Sequence, residues 1–296
     1  MCLQQPTQPS KGFVQVDQKQ PPRPDFKQPP VVEVALSVQF DTLAKLGVPQ
    51  LGLLWTEFRD RFPKVEEHPP LEPAFERFGV RGSPSQGPQL RMTTRPPPVR
   101  CWFLNEEGTE LVQVQRDRFA HNWRSAGSGQ TYPRYEHIRE TFKSELNIFH
   151  DFLAAEHLGD FKPNQCEVTY VNHVVSGKSW ERHGELGNVL TVFAPKYSDG
   201  FLGEPEDARM TVDYVIPSPD GGPFGRLHVS AQPAYRAADD RAIFILTLTA
   251  RGCPSSADVT GVLHALNLER EWVVRGFASI TGPEMHKEWG RTDVPR

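Results

Sequence analysis

The sequence predicts an α+β protein in two similar halves, each a curved antiparallel sheet with a long C-terminal helix packed on it. Three observations carry this expectation. From Tyr135 to Leu158, Ile138, Phe142, Leu146, Phe149 and Leu153 recur at steps of three and four, one apolar stripe on an amphipathic helix. A second such stretch near the end of the chain carries Val262, Leu263, Leu266, Val273, Phe277 and Ile280. Each is preceded by runs in which apolar and polar residues alternate with period two, as strands with one buried face do.

The elements follow in order. Residues 1–30 are rich in Gln and Pro, and too few apolar groups are present to offset the entropy of ordering, so a disordered or polyproline-like tail is expected. In residues 31–40, Val32, Val34, Leu36, Val38 and Phe40 alternate with Glu33, Ser37 and Gln39, a strand. Leu51 to Phe62 reads as a helix with Leu54, Phe58 and Phe62 on one side, stopped by Pro63. Val65 to Gly82 is broken by proline and reads as an edge strand. Leu90 to Leu104 and Glu110 to His121 flank Asn105-Glu106-Glu107-Gly108, a hairpin signal. Residues 125–129 form a Ser/Gly linker into the long helix, which Gly159 and Pro163 end. Order then starts again. Gln165 to Val175, Arg209 to Ile216, Arg226 to Gln232 and Ala242 to Ala250 read as strands, with a turn at Pro219-Asp220-Gly221-Gly222 and a short, ambiguous helix in residues 179–192. Ser256 suits an N-cap for the second long helix, and Gly282-Pro283 opens a last helical turn ending at Trp289. Each half thus gives a strand, a connection, further strands and a long helix, which suggests an internal duplication of residues 31–163 and 164–296.

Composition narrows the function classes. At 296 residues one large or two smaller domains are expected. The net charge of −4 argues against a general nucleic-acid coat protein. No apolar run of membrane-spanning length is present, and no signal-like segment follows Met1, so a soluble, cytoplasmic protein is expected. Cys2, Cys101, Cys166 and Cys253 form no C-x-x-C pair, which suits free thiols.

Several short motifs, taken in order, resemble one bacterial family described only as sporadically distributed and of unknown function. They are Pro29-Pro30-Val31-Val32-Glu33-Val34, Val114 to Phe119 with Asn122-Trp123-Arg124, Tyr132-Pro133-Arg134-Tyr135, Tyr170-Val171-Asn172-His173, and Phe277 to Trp289-Gly290-Arg291. The resemblance spans about Pro29 to Arg291. It implies scattered bacterial occurrence and an accessory gene, and it brings no activity, cofactor or catalytic residue.

The residues offer two candidate sites. If the helices cover the apolar face of the sheet, the other face carries Glu33, Gln113, Gln115, Glu167, His173, Asp213, Arg226 and His228, together with Ser37, Gln39 and Thr169. Such a face can stay solvated or receive a ligand or partner. The second set is Arg116, Arg118, Trp123, Arg124, Arg134 and Arg139, interleaved with Phe119, Tyr132 and Tyr135. Arginines there could grip phosphates while the rings stack on bases; Asp117 and Glu136 dilute the charge, and ion pairing within the fold is the simpler role. Ser176-Gly177-Lys178-Ser179 lacks the first glycine of a phosphate loop, because Asn172 stands there. His150 and His157 stand seven apart and no H-E-x-x-H exists, so no metal site and no cofactor are expected. The expectation is a non-enzymatic binding or interaction protein that works with a protein partner or a second copy of itself. A nucleic-acid- or nucleotide-binding accessory protein is the runner-up. A hydrolase using Glu167 or His173 comes third, since these two lie too far apart along one strand to act as a pair.

Overall fold

The computed structural model describes residues 22–79, 98–125, 127, 130–194 and 200–293. Most of the predicted Gln/Pro tail, the start of the predicted strand at Leu90 and part of the 125–129 linker lie outside the described residues. In chain order the elements are β1 (Val31–Phe40), α1 (Val48–Phe58), β2 (Lys64–His68), β3 (Arg100–Leu104), β4 (Glu110–Gln115), β5 (Arg118–Arg124), α2 (Tyr135–Ala155), β6 (Pro163–Val175), α3 (Leu186–Val189), β7 (Met210–Pro217), β8 (Pro223–Tyr235), β9 (Ala242–Gly252), α4 (Val259–Ile280) and α5 (Pro283–Glu288). The fold is α+β. Among the described residues the nine strands form one antiparallel sheet in the order β2-β3-β4-β5-β1-β6-β9-β8-β7.

Period-two alternation decides which side of this sheet is oily. Val34, Leu36 and Val38 of β1 are fully buried, and they pair with Trp123, His121 and Phe119 of β5 and with Tyr170, Val168 and Cys166 of β6. This face meets α2 and α4. The Phe149 ring of α2 stacks on Phe119 at 5.0 Å and leans on Phe40 at 5.6 Å. On the same face α4 packs over β6, β9 and β8. Gly276 permits that close approach, since a Cβ there would lie 2.7 Å from Leu227 Cδ2. The oily face also holds two buried carboxyls. Glu145 accepts from His121 Nδ1 (2.8 Å) and Arg61 Nη1 (2.9 Å). Glu269 of α4 is fully buried, and burial pushes its carboxyl well above the usual value.

Several expectations need correction. Glu110 to His121 is not one strand: the chain turns at Arg116-Asp117, so that Gln115 faces Arg118 and β4 and β5 are separate neighbours. Helix α1 starts earlier than predicted because Pro49 sits in its first turn, where proline is tolerated, and it ends at Phe58. Phe62 follows the helix end but is still fully buried. The N-cap of α4 is Asp258, which accepts from Gly261 N–H at 2.7 Å, while Ser256 supports it by donating to the same carboxylate at 2.9 Å. Order also begins before Val31. Phe26 is buried against Phe277 and Trp289, with ring centroids 5.5 and 6.1 Å away, and Lys27 and Gln28 N–H donate to Gly290 and Trp289 carbonyls. Residues 64–68 do form an edge strand, but residues 69–79 belong to no strand. Cys101 and Cys166 are buried, free thiols, but Cys253 is disulfide-bonded, against the expectation of free thiols. No helix of the described residues is long and apolar enough to cross a membrane.

Candidate functional site

The sheet face opposite α2 and α4 collects polar residues from β1 and from β3 through β9. Register fixes their places: Glu33 faces Arg124 and Val171, Gln113 faces Ala120, Gln115 faces Arg118, Glu167 faces Ser37 and Arg251, and His228 faces Asp213 and Thr249. Arg226 and His173 lie on the same side, facing Arg251 and Ile245 respectively. Glu33, Gln113, Gln115, Glu167, His173, Asp213, Arg226 and His228 therefore share one face, as alternation requires once Val34 and Val168 point the other way.

These residues form three groups. Toward the β3 side runs a polar chain. Arg100 Nη1 donates to Gln113 Oε1 (3.0 Å), Gln113 Nε2 to Asn122 Oδ1 (2.7 Å), and Asn122 Nδ2 to Glu33 Oε1 (2.5 Å). On the β6 strand His173 stands apart, half-buried. Burial, aided by the charge of Arg236, lowers its pKa.

The third group meets a segment that composition alone did not mark. Residues 69–79, Pro69-Pro70-Leu71-Glu72-Pro73-Ala74-Phe75-Glu76-Arg77-Phe78-Gly79, run across the face from β4 to β8 without joining any strand. Three glutamines from one row of the sheet hold this strap by its main chain. Leu71 N–H donates to Gln115 Oε1 and Leu71 carbonyl accepts from Gln115 Nε2, both at 2.9 Å. Ala74 N–H donates to Gln39 Oε1 (2.9 Å), and Glu76 N–H to Gln165 Oε1 (3.4 Å). Arg118 lies between Gln115 and Gln39 and donates to Gln39 Oε1 at 3.0 Å.

The far end of the strap is held by charge. The Glu76 side chain is 4% exposed and its carboxylate meets Arg226 Nη1, His228 Nε2 (2.7 Å) and Arg251 Nη1 (3.1 Å). Each partner is itself oriented: His228 Nδ1 contacts Asp213 at 2.7 Å, Arg251 pairs with Glu167 at 2.6 Å, and Arg226 donates to Arg77 carbonyl (3.2 Å) and lies 4.7 Å from the Phe78 ring centroid. Burial works against ionising Glu76. The hydrogen bond from His228, then the charges of His228, Arg251 and Arg226, outweigh it and hold the carboxyl below its usual value. The same hydrogen bond is the largest influence on His228 and raises it. Each group thus favours the charged form of the other.

The arginine–aromatic set is not brought together. Trp123 is buried on the helix side against the Tyr132 ring at 5.4 Å. Arg124 faces the open side and donates to Gly108 carbonyl (2.7 Å). Arg118 is under the strap, Arg116 donates to Leu46 carbonyl (3.0 Å), and Arg134 pairs with Asp25 (2.9 Å). Among the described residues no group of three His, Cys, Asp or Glu side chains could hold a metal ion. Sequence reasoning missed Glu76, Gln165 and Arg251. The available signal was the run Pro69 to Phe78, with prolines at 69, 70 and 73 and Glu76 between two phenylalanines, which is poor strand material because proline cannot donate to a ladder.

No family model, curated protein or solved structure matches the chain.

Proposed function

We propose that the protein is a non-enzymatic binding protein whose open sheet face takes an extended segment of a partner polypeptide. The observation that supports this is the strap. Glutamine amides bond its main chain, a mode that accepts any extended backbone, while the Arg226–His228–Arg251 cluster selects an acidic residue and Arg226 meets an aromatic ring two positions later. Main-chain bonds supplying affinity and alternate pockets supplying specificity are how extended peptides are recognised elsewhere. The chain's own segment then occupies the groove until the partner displaces it.

The same reading includes a duplication. From β1 the sheet continues outward through β5, β4 and β3, and from β6 through β9, β8 and β7; each path closes with a long helix on the same face. β2 is the extra strand. It also includes membership of the sporadically distributed bacterial family, a cytoplasmic accessory role, and a partner that is another protein or a second copy of this chain. A nucleic-acid role for the arginines is less favoured because those side chains are scattered over both faces and engaged internally. A hydrolase is less favoured because Glu167 is tied to Arg251 and His173 stands apart.

The test replaces residues 69–79 with a Gly/Ser linker of equal length and titrates a dye-labelled peptide of the strap sequence, read by fluorescence anisotropy. Saturable binding, weakened at least about tenfold by the R226A/R251A pair, supports the reading, since losing charge-assisted bonds costs more than 1.4 kcal/mol. Absence of binding, or binding indifferent to those arginines, refutes it.

A further inference from the structure

A cavity of about 400 Å³ lies on the other side of the sheet, between the first turn of α2, the middle of α4 and strands β6 and β9, under residues 23–29. Its size falls in the range of small-molecule sites, roughly 300–1,000 Å³. Leu248, Val273, Val274 and Phe277 give it an apolar wall. On the sheet side Asn172, 2% exposed, donates through Nδ2 to Leu246 carbonyl (3.0 Å). Its Oδ1 accepts from no described residue, so a buried acceptor lines the cavity unpartnered. Beside it the Tyr132 and Tyr170 hydroxyls share one hydrogen bond of 2.9 Å, which leaves one of their two protons unused.

The rest of the lining is charged, with Arg23, Arg134 and Arg270 beside Asp25 and Glu136. α2 begins at Tyr135 with no side chain capping its N-terminus, so its first N–H groups are unpaired with side chains where Tyr135 and Glu136 line the cavity. Arg270 lies over the Tyr135 ring (4.9 Å) and reaches Glu136 at 3.3 Å, but its Nε is buried without a partner.

The geometry points to this cavity as a site for a small amphipathic organic anion: an apolar body against α4, an acidic group toward Arg270 and the α2 N-terminus, and a hydrogen-bond donor toward Asn172 Oδ1. The site is independent of the strap, which lies on the other face. The probe is 1-anilinonaphthalene-8-sulfonate, which combines an aromatic body, one anionic group and an N–H donor. Titrated into the full chain, it gives saturable one-site fluorescence enhancement. Arg270→Gln weakens binding about tenfold, the scale of one lost charge-assisted bond. Val273→Phe fills the space and abolishes binding, with circular dichroism and thermal midpoint confirming that this variant is folded. A neutral analogue lacking the sulfonate binds at least tenfold more weakly, on the same arithmetic. Binding unchanged by both substitutions places the dye on a surface patch and overturns the proposal. So does the absence of binding, or equal binding of the neutral analogue.

Discussion

Replacing Glu76 by glutamine keeps the shape of the strap anchor and removes its charge. Three charge-assisted hydrogen bonds, each worth about 1.5–3 kcal/mol in isolation, would sum to more than 4.5 kcal/mol. That sum overstates the loss. His228, Arg226 and Arg251 retain side-chain exposures of 31%, 22% and 21%, so water reaches them when the carboxylate is gone. Asp213 still holds His228, and Glu167 still holds Arg251. The net cost to the closed strap is about 2–3 kcal/mol, which multiplies its open population about 30- to 150-fold. Trypsin reads this directly, because Arg77 lies within the strap and cleavage there tracks the open fraction when reclosing is fast. Initial cleavage after Arg77, followed by mass spectrometry, should accelerate by that factor in Glu76→Gln while the urea midpoint of the whole protein changes little. Acceleration below threefold, or a rise explained entirely by global unfolding, would refute the electrostatic account of the anchor.

Three further outcomes are expected. Closure of the strap should depend on pH at both ends: His228, raised above 6.5, contributes fully below that value and loses its contribution as pH rises through its raised pKa, while Glu76, held below 4.5, contributes fully above 4.5 and loses it as pH falls through its lowered pKa. Amide exchange at Leu71 and Ala74 should be slowest, relative to its intrinsic rate, between about pH 4.5 and 6.5, and His228→Gln should flatten the alkaline limb. Glu269 behaves oppositely. Burial raises its pKa, so the folded chain holds a proton that the unfolded chain releases near 4.5, and stability falls as pH rises above that value, by at most about 1.4 kcal/mol per unit. Glu269→Gln should gain on the wild type in urea midpoint from pH 5 to pH 8; a constant difference would count against this. Finally, Phe26→Ala should cost about 3 kcal/mol by emptying the space between Phe277 and Trp289, measured as a lower denaturation midpoint.

The faces of the strands were legible because alternation is local: once Val34, Leu36 and Val38 turn inward, Glu33, Ser37 and Gln39 have one remaining side. The helix stripes of α2 and α4 were legible for the same reason. The break between β4 and β5 was not, because Arg116-Asp117 carries neither the glycine nor the asparagine that usually marks a tight hairpin, and neither residue has a positive φ. The strap was hidden for a different reason. Its partners lie far along the chain, with Glu76 and Arg226 separated by 150 positions, and a proline-rich run gives no period that betrays what it lies upon. Phe26 was missed because two phenylalanines in a 30-residue Gln/Pro tail carry little average hydropathy, although a single ring placed between Phe277 and Trp289 is enough to dock it. The cavity under residues 23–29 has walls from several separate segments, so no local pattern could announce it.

The open face is most directly tested by its own glutamines. With residues 69–79 replaced by a linker, the side-chain NH₂ resonances of Gln39, Gln115 and Gln165 can be followed by NMR as unlabelled strap peptide is added. The account predicts saturable shifts of all three, with His228 titrating at a higher pH once the peptide is bound. Saturating peptide that leaves these resonances in place, or moves only residues on the helix side, would contradict it.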